Sequence, residues 1–255
     1  MSTKLKNKVV VVTGGTKGVG KGVVLESARQ GATVIIAGRD QRAAQKIQDQ
    51  SVNFDGDVHF IQTDLASSNQ CKVLFGETFQ RFGRVDGFFS YAGITPASDL
   101  LQFDEEHVDQ MLDINVKGVL FCCQSAVKYM MQSGGGSIIL TGSPHAWGGD
   151  KDRIVYACSK GTMLTLTHHI AKHYAVHGIR ANNLTMGWTP TEGEVELRKS
   201  QGMTEEQLRD WAATIIPAGR MIEIDDLVPG IIFLLSDDSK MVSGSNFRIT
   251  GGWYL

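Results

Sequence analysis

Short runs of apolar, β-branched residues recur along the chain and alternate with longer segments of mixed polarity. The first two runs, at 8–13 (KVVVVT) and 32–37 (ATVIIA), lack polar alternation, which is typical of strands buried on both faces of a parallel sheet. The segment 19–30 between them predicts a helix that ends at Gly31. Strand, helix and strand together form a βαβ unit of about 30 residues.

The same alternation continues to the end of the chain. Further strands are predicted at 58–63, 85–91, 137–141, 179–184 and 246–250. Further helices are predicted at 40–50, 69–82, 105–131, 156–177, 194–214 and 227–235. This order predicts an α/β fold with a mostly parallel sheet, in a single domain over 1–255.

Composition and charge narrow the class of protein. Hydrophobic residues make up 42% of the chain and charged residues 20%, which are ordinary globular values. A net charge of −2 gives no reason to expect a nucleic-acid or membrane partner. No segment approaches the roughly 18 apolar residues of a bilayer span, and the first apolar run is too short for a signal peptide. The four cysteines lack Cys-x-x-Cys spacing, so we expect free thiols and a cytoplasmic location.

A glycine-rich turn follows the first strand, with the sequence TGGTKGVG at 13–20. Glycines at this place let the backbone turn sharply and approach a pyrophosphate, which the free N–H groups of the next helix attract. The alternative interpretation is a tight turn without a ligand.

Tyr156 and Lys160 are spaced to lie on one face of a helix. A nearby ammonium group favours the phenolate and is expected to lower the tyrosine pKa, so that the phenol can exchange a proton near neutral pH. The spacing alone is common by chance, and a purely structural role is the alternative.

The glycine turn, the Tyr-x-x-x-Lys pair and Ser143, 13 residues before Tyr156, together resemble the short-chain dehydrogenase/reductase family over essentially the whole chain. The resemblance implies a doubly wound Rossmann-type fold with a seven-stranded sheet flanked by helices and a substrate lid at 188–214. It also implies hydride transfer between a nicotinamide and an alcohol or carbonyl carbon. Tyr156 then serves as general acid/base, Ser143 holds the substrate oxygen, and Lys160 contacts the nicotinamide ribose.

Asn115 resembles the family's helix asparagine, whose implied catalytic role is to hold a water that links Lys160 to solvent. A helix-capping or kink residue is the alternative. By the same resemblance, the cofactor-binding residues are Gly14, Thr16, Lys17, Gly18, Val19, Gly20, Arg39, Asp64, Leu65, Ala92, Gly93, Tyr156, Lys160, Gly187, Thr189 and Thr191. For Asp64, a helix N-cap is an alternative role that is compatible with the first.

The end of the second strand bears on the choice of cofactor. NAD-binding sites often carry an acidic residue here for the ribose 2′-hydroxyl, whereas this chain has Gly38 followed by Arg39. A guanidinium group suits a 2′-phosphate, and Lys17 resembles a second basic contact. We therefore expect NADP(H), with NAD(H) as the alternative if Asp40 faces the ribose or if the two basic residues are solvated surface charges.

Other features depart from the pattern or extend it. Ser90 and Tyr91 stand where the family often has two asparagines, and Met186 stands where it has proline.

A helix face carries His169, His173 and His177. A solvated or interface stripe is a better interpretation than a metal site, so no metal is expected. The aromatic and sulfur side chains expected near the substrate are His145, Trp147, Met186, Trp188 and Trp211.

The substrate stays open at this point. A small secondary alcohol, ketone or aldehyde is expected, with a 3-oxoacyl-thioester reductase as an alternative within the family. A sensor or scaffold that binds NADP(H) without turnover is the alternative from another class. The glutamates at 192, 194 and 196 either bias the site against acids or form a solvated helix start. The helices near Glu105 and Tyr156 resemble those of the family's dimer bundle, so a homodimer or homotetramer is expected.

Overall fold

The computed structural model describes residues 3–253, and Met1, Ser2, Tyr254 and Leu255 of the predicted domain lie outside the described residues. Within this range a seven-stranded parallel sheet has the order β3-β2-β1-β4-β5-β6-β7. The strands are β1 Val9–Thr13, β2 Thr33–Gly38, β3 Val58–Gln62, β4 Gly87–Ser90, β5 Gly136–Gly142, β6 Ile179–Met186 and β7 Asn246–Ile249. The predicted α/β class and Rossmann-type sheet are therefore confirmed.

Helices cover both faces of this sheet. They are α1 Gly18–Arg29, α2 Gln41–Gln50, α3 Ser68–Phe82, α4 Glu105–Leu112, α5 Val119–Ser133, α6 Ile154–Tyr174, α7 Glu192–Ser200, α8 Glu205–Ile215 and α9 Ile224–Leu235. Val10 and Val12 of β1 pack with α1 and α9 on one face, whereas Val9 and Val11 pack with α3 and α5 on the other. Burial on both faces explains the continuous apolar runs, because each such side chain contributes about 1.5–3 kcal/mol when fully buried.

The strand order reverses between β1 and β4, which pair with each other although β2 and β3 separate them in sequence. A crevice opens at such a switch point beyond the carboxyl ends of the strands, and ligands of open α/β sheets bind there. The loops after β1, β4, β5 and β6 all reach this edge of the sheet.

The predicted helix at 105–131 is interrupted, contrary to expectation. A π-helical turn, Asp113–Gly118, separates α4 from α5. The backbone of Gly118 packs directly against the carbonyl of Leu65, where any Cβ would collide. This contact is tertiary, so the apolar periodicity of the segment gives no sign of it.

The predicted helix at 194–214 is two helices, α7 and α8. Gly202 between them has φ +83, a left-handed conformation that ends a helix readily. Thr204 then starts α8 with a capping box in which its side chain and that of Gln207 each bond the other's backbone. Among the described residues, no helix is long and apolar enough to cross a bilayer.

Candidate active site

A cleft with a volume of about 880 Å³ lies over the carboxyl edge of the sheet. Two of the predicted site residues, Gly20 and Asn115, do not line it. The predicted residues that do line it are Gly14, Thr16, Lys17, Gly18, Val19, Arg39, Asp64, Leu65, Ala92, Gly93, Ser143, Tyr156, Lys160, Gly187, Thr189 and Thr191. Residues far apart in sequence thus meet along one surface.

The glycine turn forms one end of the cleft. Gly14 has φ +71, and a Cβ there would lie 2.9 Å from the backbone nitrogen of Ala92, so the β1 and β4 loops meet without intervening side chains. Gly20 packs on the carbonyl of Gly14 and so shapes the turn from behind. Helix α1 begins after Lys17 without a side-chain cap, which leaves N–H groups of its first turn for a ligand.

Tyr91, which sequence reasoning treated only as a departure, lies at this helix start. The backbone N–H of Val19 is directed at its phenol oxygen, and burial raises the pKa of Tyr91 to about 12. The ring stacks on Phe89 with centroids 5.7 Å apart. The phenol oxygen lies 3.3 Å from where a Cβ of Gly18 would be, so a neutral hydroxyl group lies beside the backbone of the glycine turn.

Ser143, Tyr156 and Lys160 come together at the floor of the cleft. The Ser143 hydroxyl and the Tyr156 phenol are hydrogen-bond partners. Lys160 donates a hydrogen bond to the carbonyl of Thr141 at 2.9 Å, and its Nζ lies 5.5 Å from the centre of the Tyr156 ring. Strand β5 and its following turn supply Ser143 and Thr141, and α6 supplies the other two, so the group rests on regular elements.

The expected lowering of the Tyr156 pKa is wrong for this structure. Burial raises the pKa of Tyr156, although the hydrogen bond with Ser143 and the nearby charge of Arg153 oppose the rise. Burial also lowers the pKa of Lys160 to about 8. Both shifts have the same cause, because a buried site disfavours the charged form of each group.

Asn115 lies in the π-helical turn and braces the site from behind. Its side-chain oxygen accepts the N–H of Ile94 at 2.9 Å, and its side-chain nitrogen donates to the carbonyl of the same residue at 2.8 Å. The nitrogen also lies 3.3 Å from the hydroxyl oxygen of Ser159 on α6. The amide therefore ties the loop after β4 to the helix of Tyr156. The predicted relay through water stays a prediction.

A side cavity of about 610 Å³ opens beside the glycine turn. Three cationic side chains line it, namely Lys17, Arg39 and Arg42. Asp40 also lines it, but its carboxylate accepts the backbone N–H of Ala43 at 3.0 Å and caps α2. Sequence reasoning missed Arg42; the available signal was its position three residues after Arg39.

Asp64 and Leu65 lie in the cleft after β3. The Asp64 carboxylate accepts the N–H of Ala66 at 3.1 Å, and the N-cap of α3 is Ser67 instead. The alternative interpretation of Asp64 as a helix cap is therefore wrong. Opposite, Thr191 caps α7 by accepting the N–H of Glu194.

Three indoles close the far end of the cleft. Trp188 lies perpendicular to Trp211 with centroids 4.9 Å apart and stacks on Trp253 at 6.0 Å. His145 contacts the Tyr156 ring edge-on, with centroids 5.8 Å apart, and burial lowers the pKa of His145. Of the aromatic and sulfur residues expected near the substrate, Trp147 does not line the cleft.

The histidine stripe at 169–177 is expected to be a solvated or interface surface. Within residues 3–253, no group of three or more His, Cys, Asp or Glu side chains is placed to hold a metal ion. The rings of His169 and His173 contact each other, with centroids 4.6 Å apart. All four cysteines are free thiols, three of them buried.

The chain is similar to known proteins over nearly its full length. A family model described as enoyl-(acyl carrier protein) reductase matches residues 14–254. The chain is 31% identical over 252 residues to the 3-oxoacyl-[acyl-carrier-protein] reductase FabG of Thermotoga maritima, covering 98% of each chain.

Solved structures are also similar to the chain over nearly its full length. The structure superposes on a short-chain type dehydrogenase/reductase from Mycobacterium marinum with a TM-score of 0.90 at 29% identity, covering 99% of this chain and 97% of that one. It also superposes on a levodione reductase with a TM-score of 0.90 at 26% identity, covering 97% and 98%.

Proposed function

Because the chain belongs to the short-chain dehydrogenase/reductase family, we propose that it is an NADP(H)-dependent oxidoreductase for a secondary alcohol and its ketone, or an aldehyde. The observation that carries this proposal is the meeting of Ser143, Tyr156 and Lys160 in the cleft that also holds the glycine turn. A sensor or scaffold without turnover would not need these three groups together.

The cleft fits an extended dinucleotide. Gly14 and Ala92 line the cleft with their backbones in close contact, since a Cβ on the glycine would collide with Ala92, and the start of α1 suits a pyrophosphate. Asp64 and Leu65 would hold the adenine, whereas Gly187, Thr189 and Thr191 would hold the nicotinamide end. When bound, the cofactor supplies or accepts the hydride.

The residues at the floor of the cleft handle the proton. Ser143 holds the substrate oxygen as charge moves onto it. The raised pKa of Tyr156 keeps its phenol protonated at neutral pH, ready to donate that proton to the same oxygen during reduction. Lys160 holds its place through Thr141 and would contact the nicotinamide ribose.

The preference for NADP(H) is supported by the side cavity. Lys17, Arg39 and Arg42 surround a space next to the expected ribose position, and guanidinium groups bind phosphate well. The Asp40 carboxylate accepts the backbone N–H of Ala43 in the first turn of α2, so it is less available than a free carboxylate to accept a hydrogen bond from a ribose hydroxyl.

A 3-oxoacyl-thioester reductase is the second candidate. Its support is the similarity to FabG proteins rather than any feature of the cleft. Turnover of acetoacetyl-CoA against simple ketones would separate the two.

We also propose a single domain with a lid at 188–214, a homodimer or homotetramer, and a cytoplasmic location. The lid is supported by Trp188, Glu194 and Trp211, which line the cleft from that segment. The location is supported by the free thiols. Size-exclusion chromatography with light scattering tests the assembly, and a monomer would contradict it.

The test of the reaction is Tyr156→Phe. We expect kcat for NADPH-dependent carbonyl reduction to fall at least 100-fold, since general acid catalysis contributes about 10²–10⁴-fold. The Kd for NADPH should change less than threefold. A variant that retains wild-type turnover would show that Tyr156 is not the acid.

A further inference from the structure

Helix α8 presents an exposed apolar edge to the cleft. Trp211 and Ile215 lie one turn apart, are 42% and 39% exposed, and both line the cleft. Large apolar side chains that stay exposed inside a concave site favour an apolar ligand. Tyr156 lines the same cleft, so a substrate held at Tyr156 shares this space with Trp211 and Ile215.

The indoles give this end of the cleft a defined shape. The perpendicular pair of Trp188 and Trp211, at 4.9 Å, forms a corner of two flat walls, and Trp253 backs Trp188 with its ring only 23° from parallel. Aromatic rings prefer offset-stacked or edge-to-face neighbours. A flat ring fits such a corner better than a flexible chain, which would lose more conformational freedom on binding.

The corner is also held in place. Glu194 accepts hydrogen bonds from the indole N–H of Trp188 and from Nε of Arg198, both at 2.8 Å. The Arg198 guanidinium lies 5.2 Å from the Trp188 ring centre and 5.6 Å from that of Trp211. These contacts fix the walls before any substrate arrives, which lowers the cost of ordering them.

Charge at this end disfavours anions. Outside the glycine turn and the loop after β2, the cleft is lined by three cations, Lys160, Arg153 and Arg198. Each is engaged, the first two with the carbonyls of Thr141 and Thr95 at 2.9 Å and the third with Glu194. Four carboxylates line the same region, namely Asp150, Asp152, Glu192 and Glu194. An anionic substrate would therefore meet net repulsion.

We propose that the site selects uncharged cyclic or aryl ketones, whose ring packs into the corner of Trp188 and Trp211 while the carbonyl oxygen reaches Ser143 and Tyr156. This rests on the proposed reductase function and names its substrate class.

The test compares three carbonyl compounds with NADPH as reductant. They are 2-tetralone, the open-chain 2-decanone with the same number of carbons, and the anionic acetoacetyl-CoA. We expect kcat/KM for 2-tetralone to exceed both others at least tenfold. Trp211→Ala should lower the 2-tetralone value at least tenfold and the 2-decanone value less than threefold. Phe103→Ala, an exposed aromatic residue outside the cleft, is the matched control and should change neither.

Two outcomes overturn the proposal. One is turnover of 2-decanone or acetoacetyl-CoA equal to or faster than that of 2-tetralone, which leaves the reductase function in place. The other is an equal loss for all substrates in Trp211→Ala. If no carbonyl is reduced, the reductase function fails, and calorimetric titration with 2-tetralone decides this inference separately. Binding weakened tenfold by Trp211→Ala supports the corner, and undetectable or unaltered binding refutes it.

Discussion

Lys160 donates its ammonium hydrogen bond to the backbone carbonyl of Thr141 at 2.9 Å, and this contact anchors the cation beneath the ring of Tyr156 rather than against its hydroxyl. The lysine is 7% exposed. Burial removes water from the Lys160 ammonium group and so disfavours its charged form, which lowers the pKa of Lys160 to about 8.

The lowered pKa of Lys160 predicts a pH-dependent stability. Between pH 8 and 10.5 the unfolded chain keeps the Lys160 proton and the folded protein releases it, so the free energy of unfolding rises with pH in this window. We expect the Tm of the wild type minus that of Lys160→Met, both without cofactor, to increase by a few °C from pH 7 to pH 10. Thermal denaturation followed by circular dichroism measures both proteins, and a difference that stays constant with pH would contradict the shift.

The hydroxyl of Tyr91 is expected to help hold the cofactor phosphates. Because the phenol oxygen faces the N–H of Val19, its own proton is left for an acceptor in the cleft. Hydrogen bonds to charged groups contribute about 1.5–3 kcal/mol, so Tyr91→Phe should raise the Kd for NADPH about tenfold. The stacking on Phe89 survives, and Tm should change little.

A fragment of the cofactor distinguishes binding of the phosphates by Tyr91 from a purely structural role of this side chain. Adenosine 2′-monophosphate lacks the pyrophosphate, so its affinity should be the same in wild type and Tyr91→Phe. Equal weakening of NADPH and the fragment would indicate a general distortion of the turn.

Arg39→Ala should weaken NADPH binding at least tenfold and leave NADH within threefold, because its guanidinium faces the cavity proposed for the 2′-phosphate. Nicotinamide fluorescence titration measures both constants. Arg81→Ala removes an exposed arginine from α3, far in sequence from this cavity, and serves as the control. Equal losses for NADPH and NADH would place Arg39 elsewhere in the dinucleotide site.

Asp40→Ala tests the cap of α2. Loss of an N-cap costs about 0.5–2 kcal/mol, so the free energy of unfolding should fall by that amount while the ratio of the NADPH and NADH dissociation constants stays within threefold. Selective weakening of NADH would show that the Asp40 carboxylate contacts a ribose in the complex.

Features encoded by local spacing were predictable from the chain. Continuous apolar runs marked the strands, and residues at strand ends, such as Ser143 after β5, had to gather at one edge of a parallel sheet. The glycines at 14 and 18 sit where a positive φ is needed. Tyr156 and Lys160 share a helix face, so their proximity required no knowledge of the rest of the fold.

Features set by tertiary approach were not predictable. The corner is formed by Trp188, Trp211 and Trp253, which come from three separate segments. Their spacing in the sequence therefore does not predict it. The rise of the Tyr156 pKa follows from how much water the folded cleft excludes, whereas the sequence showed only the neighbouring lysine. The position of Tyr91 beside α1 depends on the pairing of β1 with β4.

The π-helical turn lies between α4 and α5. A π-helical turn holds about one residue more than an α-helical turn, so removing one residue from 113–118 would let the segment close as regular α-helix, with buried Met130 near its present orientation but without the bulge that carries Asn115. Lys117 is exposed and pairs with Asp113 across one turn, so its replacement by alanine should leave the bulge in place, whereas its deletion should displace Asn115 from Ile94 and Ser159. In the turn 113–118 the number of residues therefore matters more than the identity of the exposed ones. An insertion or deletion there should be more damaging than a surface substitution.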